Sequence, residues 1–340
     1  MQKKSFPIIL LFYLCLIFFF TPTLASTTDN ETNWFNNPQL QSSLDQQTHS
    51  KAYSGNQITL LPNGVNSFAQ RKANLATADI ILIKTYEFWN DESGNELIDL
   101  LIKRAQAGAK IFVQFDVKGT AHTPQEQWDI WRGNISPIPP QLQRLVNAGQ
   151  GNVFLIPTNI PTSFLNYLKA KAGLYSPLDH EKYFITWNTK DKNAPVKIVM
   201  GGMNIGDEYL LGATKDNSGA FKIVRKYNAF AFRDTDVELI GPAAQNVVAE
   251  YIIRATYHAK NTNNYFVAHL QPQVQQTLKQ LTVIKNQMDQ QKSTAFPNYP
   301  NGALVRYVVN RSHAKIIPDM LNIQKTLALL LQNIPANKRQ

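Results

Sequence analysis

His180 and Lys182 stand two residues apart in HEKYFITW, and Gly-Gly-Met-Asn follows at 201–204. A neutral imidazole beside an ammonium makes a site for a phosphate. The imidazole can attack phosphorus or carry a proton, and the ammonium neutralises the phosphoryl oxygens. On a strand, residues two apart share a face, so the spacing predicts that both side chains reach the same bound group. Gly201 and Gly202 let the backbone come close to that group, and Asn204 offers it an amide N–H without adding charge. Asp207 and Glu208 come next, and a carboxylate here could hold an imidazole in one tautomer. An isolated His-x-Lys has almost no specificity. The same pair followed by a strand and GGMNIGDEY is far more specific.

A second His-x-Lys, His313 and Lys315, occurs in RSHAKIIPDM. Its context differs. Pro318 falls three residues after Lys315, where a strand would continue, and proline removes a ladder donor. No Gly-Gly-x-Asn follows. His313 and Lys315 are therefore expected to be linker residues, secondary to His180 and Lys182.

The elements that would position the first pair are legible in outline. ADIILIKTYEF (78–88) has the length and β-branched content of a buried strand. Ser93 is expected to cap a helix carrying Leu97, Leu100, Leu101 and Ala105, with Gly108 at its C-terminal end. KIFVQFDV (110–117) is the next strand, so strand, helix and strand form a βαβ unit with parallel pairing. PPQLQRLVNAG reads as a helix, NVFLIPT as a strand, and EKYFITW and VKIVMGG as a hairpin-like pair. YNAFAFRDTDVELIGP (227–242) reads as a further strand region, AAQNVVAEYIIRATYHA as a helix, the Gln-rich 271–302 as helix and linker, ALVRYVVN as a strand and 320–334 as a last helix. Residues 26–75 are polar and predict a poorly packed lead-in ending in a short helix. The expected fold class is α/β, with a mixed, mostly parallel sheet flanked by helices.

The chain has 340 residues, a net charge of +10 and one cysteine, Cys15. MQKKSFPIILLFYLCLIFFFTPTLAS has lysines, an apolar run from Pro7 to Phe20 of 14 residues, and small residues after it, which reads as an export signal cut after Ala25. That run is short for a bilayer span of about 20 residues. Cutting there removes Lys3 and Lys4, leaving +10 − 2 = +8. A cysteine-free mature chain forms no disulfide and binds no thiolate-ligated metal. The basic balance favours anionic partners: phospholipid head groups, nucleic acid or acidic surfaces. There is no G-x-x-x-x-G-K-[ST], G-x-S-x-G or H-E-x-x-H, and the six histidines show no metal-ligand spacing.

The stretch from His180 to Tyr209 resembles the first catalytic motif of the phospholipase D superfamily: His-x-Lys, an acid five residues after the Lys, then Gly-[Gly/Ser]-x-Asn. The GGMNIGDEY form is similar to the cardiolipin synthase and phosphatidyltransferase branch, and DTDVELIGPAAQNVVAEYI is similar to the family's segment ending in Gly-Pro-Ala. The resemblance covers roughly residues 55–335 and implies a phospholipase D-like sandwich and no cofactor. Residue by residue, it implies that His180 forms a phosphohistidine or serves as its acid–base partner. It implies that Lys182, Gly202 and Asn204 bind the phosphate and that Glu208 or Asp207 orients a histidine. Two departures stand out: Trp187 occupies the acid's position, with Asp191 the nearby substitute, and the spacing from His180 to Gly201 is seven residues longer than the motif.

Family members bring two motifs to one site, and residues 303–340 resemble the junction into a second half. The expected organisation is a signal at 1–25, a polar lead-in at 26–54, a first catalytic half at 55–265, a Gln-rich helix and linker at 266–302, and the junction at 303–340. The implied partners are a phospholipid or membrane surface, with nucleic acid as the alternative. The chain is then either a truncated form of a two-motif enzyme, or one whose site a second copy or a second polypeptide would complete. Without the second half, Leu327, Leu330 and Leu331 on the last helix are expected to be open to an interface.

Overall fold

The polar stretch before residue 76 folds further than its composition suggests. The computed structural model describes residues 34–120, 129, 136, 138–158, 180–210, 214–215, 221–222, 232, 234–261, 271–309 and 322–333. A short turn of helix at Trp34–Asn36 leads into α1 (Pro38–Thr48), then β1 (Ala52–Leu61) and α2 (Gly64–Leu75). Asn37 caps α1, its side chain accepting from Gln39 N and Leu40 N. Strand β1 escapes sequence reading because a bulge between Tyr53 and Asn56 breaks its two-residue period. Gly55 sits there at φ +80°, a left-handed conformation that a glycine adopts without strain.

Strand β2 (Ile80–Thr85) is buried at every position, as its apolar run predicts. Helix α3 (Glu92–Gln106) lays Leu97, Ile98, Leu101 and Ala105 into the core at helical spacing. Its cap is Asp91, not Ser93: the Asp91 side chain accepts from Gly94 N at 2.9 Å, and a carboxylate also suits the positive end of a helix dipole. Gly108 follows the helix at φ +93°, where a C-terminal cap was expected. Then come β3 (Lys110–Asp116), α4 (Val117–Thr120), α5 (Pro140–Ala148), β4 (Val153–Thr158), β5 (Tyr183–Trp187) and β6 (Lys197–Gly201). The chain continues through α6 (Asp207–Leu210), the small pair β7 (Thr214–Lys215) and β8 (Phe221–Lys222), β9 (Asp236–Ile240) and α7 (Ala244–Asn261). It ends its described course with α8 (Gln271–Gln290), α9 (Lys292–Ala295), β10 (Ala303–Arg306) and α10 (Asn322–Asn333). Of the strand region expected at 227–242, the described strand is Asp236–Ile240.

The main sheet has eight strands in the order β10-β1-β9-β6-β5-β2-β3-β4. Only β2–β3 and β3–β4 pair parallel; the other five neighbour pairs are antiparallel. The expectation of a mostly parallel sheet is thus corrected. The βαβ periodicity reports local crossovers truly. It says nothing of β5, which returns along the free side of β2 and reverses at once into β6.

Helices cover both faces. Ile81, Ile83, Ile111 and Val113 pack under α2, α3 and α5 with Phe68, Leu97, Leu101 and Leu142. The alternate residues Ile80, Leu82, Phe112 and Ile185 pack against Val247 and Tyr251 of α7 and Leu281 and Ile284 of α8. The last helix also has a partner: Leu330 is buried with Phe35, Leu40 and Leu44, so α1 covers α10. That corrects the open face expected there, although Leu327 is exposed.

Trp187 is a core residue. It is 2% exposed, lies in the α7 face of the core, and donates Nε1–H to Ala194 O at 3.1 Å. It ends β5, five residues from Lys182, roughly 16 Å at strand rise. Asp191 lies exposed in the same far hairpin and accepts from Asn193 N. Neither position touches the His180 end of the strand. Trp187→Asp is expected to lower stability by at least about 3 kcal/mol, since it empties a large volume and buries a carboxylate. It is expected to leave the His180 end of the strand unchanged. Denaturant titration checks this, and a variant as stable as the parent would refute the core assignment.

Candidate functional site

Five chain segments meet at one end of the sheet. β2 and β3 run out there at Thr85 and Asp116. β5 enters antiparallel beside β2, Lys84 pairing with Tyr183. β6 leaves beside β5, Tyr183 pairing with Met200, and β9 enters beside β6, Gly201 pairing with Asp236. Residues just outside these strand ends, 86–87, 180–182, 202–204 and 234, therefore share one rim.

His180 and Lys182 precede β5 and are not part of its ladder, a correction to the expected strand placement. The pairing itself forms. His180 is exposed and Lys182 buried, and the Lys182 ammonium lies 2.9 Å from His180 Nδ1 and 2.8 Å from the His180 carbonyl oxygen. An ammonium only donates, so Nδ1 accepts and the neutral ring carries its proton on Nε2. The Tyr86 ring packs on the imidazole with centroids 4.6 Å apart. Burial, with Asp116 and then Glu87 nearby, pushes the Tyr86 phenol up to about 12, so it keeps its proton.

Asn204 sits at the same rim, but its amide is already engaged. Its Oδ1 accepts from Glu87 N at 3.1 Å and Thr85 Oγ1 at 3.3 Å, and its Nδ2 donates to Tyr209 Oη at 2.7 Å and Glu87 Oε2 at 3.3 Å. Tyr209 in turn donates to Glu87 Oε2 at 2.9 Å. Asn204 here orders the loop that carries it. Asp207 is tied to α3, its Oδ1 accepting from Ser93 N at 2.8 Å and Ser93 Oγ at 2.6 Å. Glu208 has its carboxyl raised by burial and then by Glu87 and Asp91.

Among the rim acids, Asp234 is one whose carboxyl feels the Lys182 charge. Burial raises its carboxyl, the Lys182 charge pulls it down, and Asp236 raises it again, leaving it above the ordinary range. A Cβ on Gly202 would lie 2.8 Å from the Asp234 carboxyl carbon, so only glycine admits this side chain to the rim. Sequence reasoning used the DTDVELIGP stretch but passed over its first aspartate. The signal available was its position two residues before a strand that pairs with the Gly-Gly strand.

The loop of Gly202–Asn204 is bolted from below. Arg71 on α2 pairs with Asp236 at 2.8 Å and donates to Met203 O at 3.0 Å and Asn204 O at 3.4 Å. Ser67 Oγ also reaches Asp236. The Arg71 and Asp236 side chains are 4% and 0% exposed.

Among the described residues no group of three or more His, Cys, Asp and Glu is arranged to hold a metal, and no helix is long and apolar enough to cross a membrane. His313, Lys315 and the N-terminal apolar segment lie outside the described residues.

No protein-family model and no curated protein matches the chain. Solved structures similar to it include phosphatidylserine synthase from Haemophilus influenzae, at 12% identity and a TM-score of 0.40, covering 86% of this chain. The chain spans 64% of that synthase's length. Nuc, a phospholipase D family member from Salmonella typhimurium, is similar at 12% identity and TM-score 0.31, over 59% of this chain and 92% of its own. NucT from Helicobacter pylori is similar at 12% identity and TM-score 0.32, over 63% of this chain and 98% of its own.

Proposed function

We propose that this chain is a phosphodiesterase or phosphatidyltransferase of the phospholipase D type, acting on phospholipids at His180. The observation that carries the reading is the exposed His180 imidazole bonded to the buried Lys182 ammonium, on the rim that Gly202, Asn204 and Asp234 share. A largely buried ammonium is a strong electrostatic partner for a phosphoryl oxygen. Lys182 turns from the imidazole to the phosphate when substrate arrives, which releases Nδ1. In the attack, the Nε2 lone pair forms the P–N bond, the bond from phosphorus to the leaving oxygen breaks, and that oxygen takes a proton from the imidazolium of a second histidine. Water or a second alcohol then attacks phosphorus, giving its proton back to that second histidine as the P–N bond breaks. With its proton on Nε2, the resting ring attacks only after that proton moves to Nδ1; to serve as the proton donor it must first take up a second proton. The second histidine is supplied by a further segment of a two-motif protein, by another copy of this chain or by a second polypeptide. Export through the N-terminal segment and the net charge of +10 − 2 = +8 left after it is cut suit a membrane substrate with an anionic surface.

In this reading the ionised Asp234 carboxylate offsets the Lys182 charge across the rim. Its carboxyl lies above the ordinary range, so activity climbs with pH through that raised value and is lost below it. Asp234→Asn is expected to lower kcat/KM roughly 10- to 100-fold and to remove this acid limb from the pH profile. A variant with an unchanged limb would exclude Asp234 from the site.

The reading is tested by incubating the full chain with labelled phosphatidylglycerol and phosphatidylethanolamine, and in parallel with single- and double-stranded DNA. Lipid turnover supports the proposal. Cleavage of DNA alone, with binding that falls steeply with salt, transfers the site to nucleic acid. Turnover of neither leaves a protein that binds anionic surfaces without chemistry and refutes the proposal.

A further inference from the structure

We infer that Glu181 is a positioning residue, clamping the His180–Lys182 segment from the opposite side of the sheet. The inference rests on the proposed function, which makes that segment the reactive one.

Chain direction and parity separate Glu181 from its neighbours. Lys182 has the parity of Phe184, which packs on the α2–α3 side, whereas Glu181 has the parity of Tyr183, which packs on the α7 side. There its Oε2 accepts from Lys84 Nζ at 2.8 Å and forms an ion pair with Arg254 Nη1 at 3.2 Å. Arg254 Nε then donates to Glu250 Oε1 at 2.8 Å, one turn back on α7. The side chains of Lys84, Arg254 and Glu250 are 1%, 4% and 3% exposed. Beneath them the hydroxyls of Tyr183 and Tyr307 bond each other.

This placement matters because residues 180–182 lie outside the ladder. The β2–β5 ladder begins at Lys84 with Tyr183, so residues 180–182 lie ahead of its first pair. Two buried cations converging on one carboxylate supply a fixed point there. A buried ion network adds little net stability over an apolar replacement, and its best-attested use is to fix register. Here the register it fixes is that of a histidine and a lysine whose useful geometry tolerates shifts of well under about 1 Å.

The test uses the full chain and two readouts. Nitrogen shifts of His180 report its tautomer, and lipid turnover reports kcat and KM. Glu181→Gln keeps the shape but removes the carboxylate that two buried cations share, so it is expected to melt lower. Adding Lys84→Gln removes one of those cations and keeps the Arg254–Glu250 pair, so the double variant is expected to regain much of that loss. A purely structural role predicts that turnover returns with stability. The clamp predicts that it does not: kcat stays roughly 10- to 100-fold down, KM changes less than about threefold, and the His180 shifts show mixed tautomers. Glu181→Asp keeps the charge and draws the anchor back by one methylene, and is expected to fold like the parent with the same loss in kcat. Parental kcat and a single Nε2–H tautomer in the double variant and in Glu181→Asp would overturn the clamp. The tautomer readout needs no substrate, so it decides the clamp even where His180 proves to have no part in turnover.

Discussion

His180→Ala is expected to abolish lipid turnover, a fall of at least about a thousandfold, while the protein still folds. Both halves of that expectation come from the site's geometry. The imidazole is exposed, and its contacts include the Lys182 ammonium and the Tyr86 ring, so its loss removes little buried surface. The reaction, by contrast, loses the atom that bonds phosphorus or donates the leaving group's proton, and no solvent group replaces it. Purified variant and parent should be compared for turnover and melting temperature together. Retained turnover in a folded variant would refute the site; lost turnover with lost folding would point instead to a structural histidine.

The largest effect on stability is expected from Asp236→Ala, at about 3–5 kcal/mol, because it strands the Arg71 guanidinium in the interior. Asp236 also accepts from Ser67 Oγ and, at 3.3 Å, from Met203 N, so one carboxylate ties α2, β9 and the glycine loop together. The Lys72–Glu96 pair, one residue further along α2, is the natural control. Its side chains are 37% and 48% exposed, so Lys72→Ala should cost under about 1 kcal/mol. Denaturant midpoints measured side by side check both. Equal, small losses in the two variants would show that the buried pair carries no special weight.

The glycine loop illustrates how function draws on that stability. Gly201 and Gly202 are flanked so closely by Asp236 and Asp234 that any side chain there would displace one of them. Arg71 holds the carbonyls of Met203 and Asn204. The loop's shape, and with it the place of Asp234 on the rim, depends on a salt bridge two layers down. Loss of the bridge should therefore lower turnover as well as stability.

How much of this was legible in the sequence differs by kind of feature. The β2-α3-β3 unit, the β5–β6 hairpin and the α7 and α8 helices are local, and their apolar spacing announces them. Strand β1 was hidden by its bulge, and the order and direction of the strands rest on which edges meet, which periodicity does not encode. The His180–Lys182 contact was legible, since two residues two apart reach one another whether or not a ladder holds them. The acids were not. Asp207 and Glu208 lie close to Asn204 in the chain, but a short helix turns one toward Ser93 and leaves the other among Glu87 and Asp91.

By itself, then, the sequence determined the His180–Lys182 pair, the glycine turn and the helices and strands with unbroken periods, because these follow from side chains a few residues apart. Only the tertiary structure decided the antiparallel majority of the sheet and the place of Asp234 on the rim. It alone placed Trp187 in the core and Lys84 and Arg254 around Glu181. Each of these joins residues distant in the chain, and strand parity states which face a side chain takes while leaving open what packs against it.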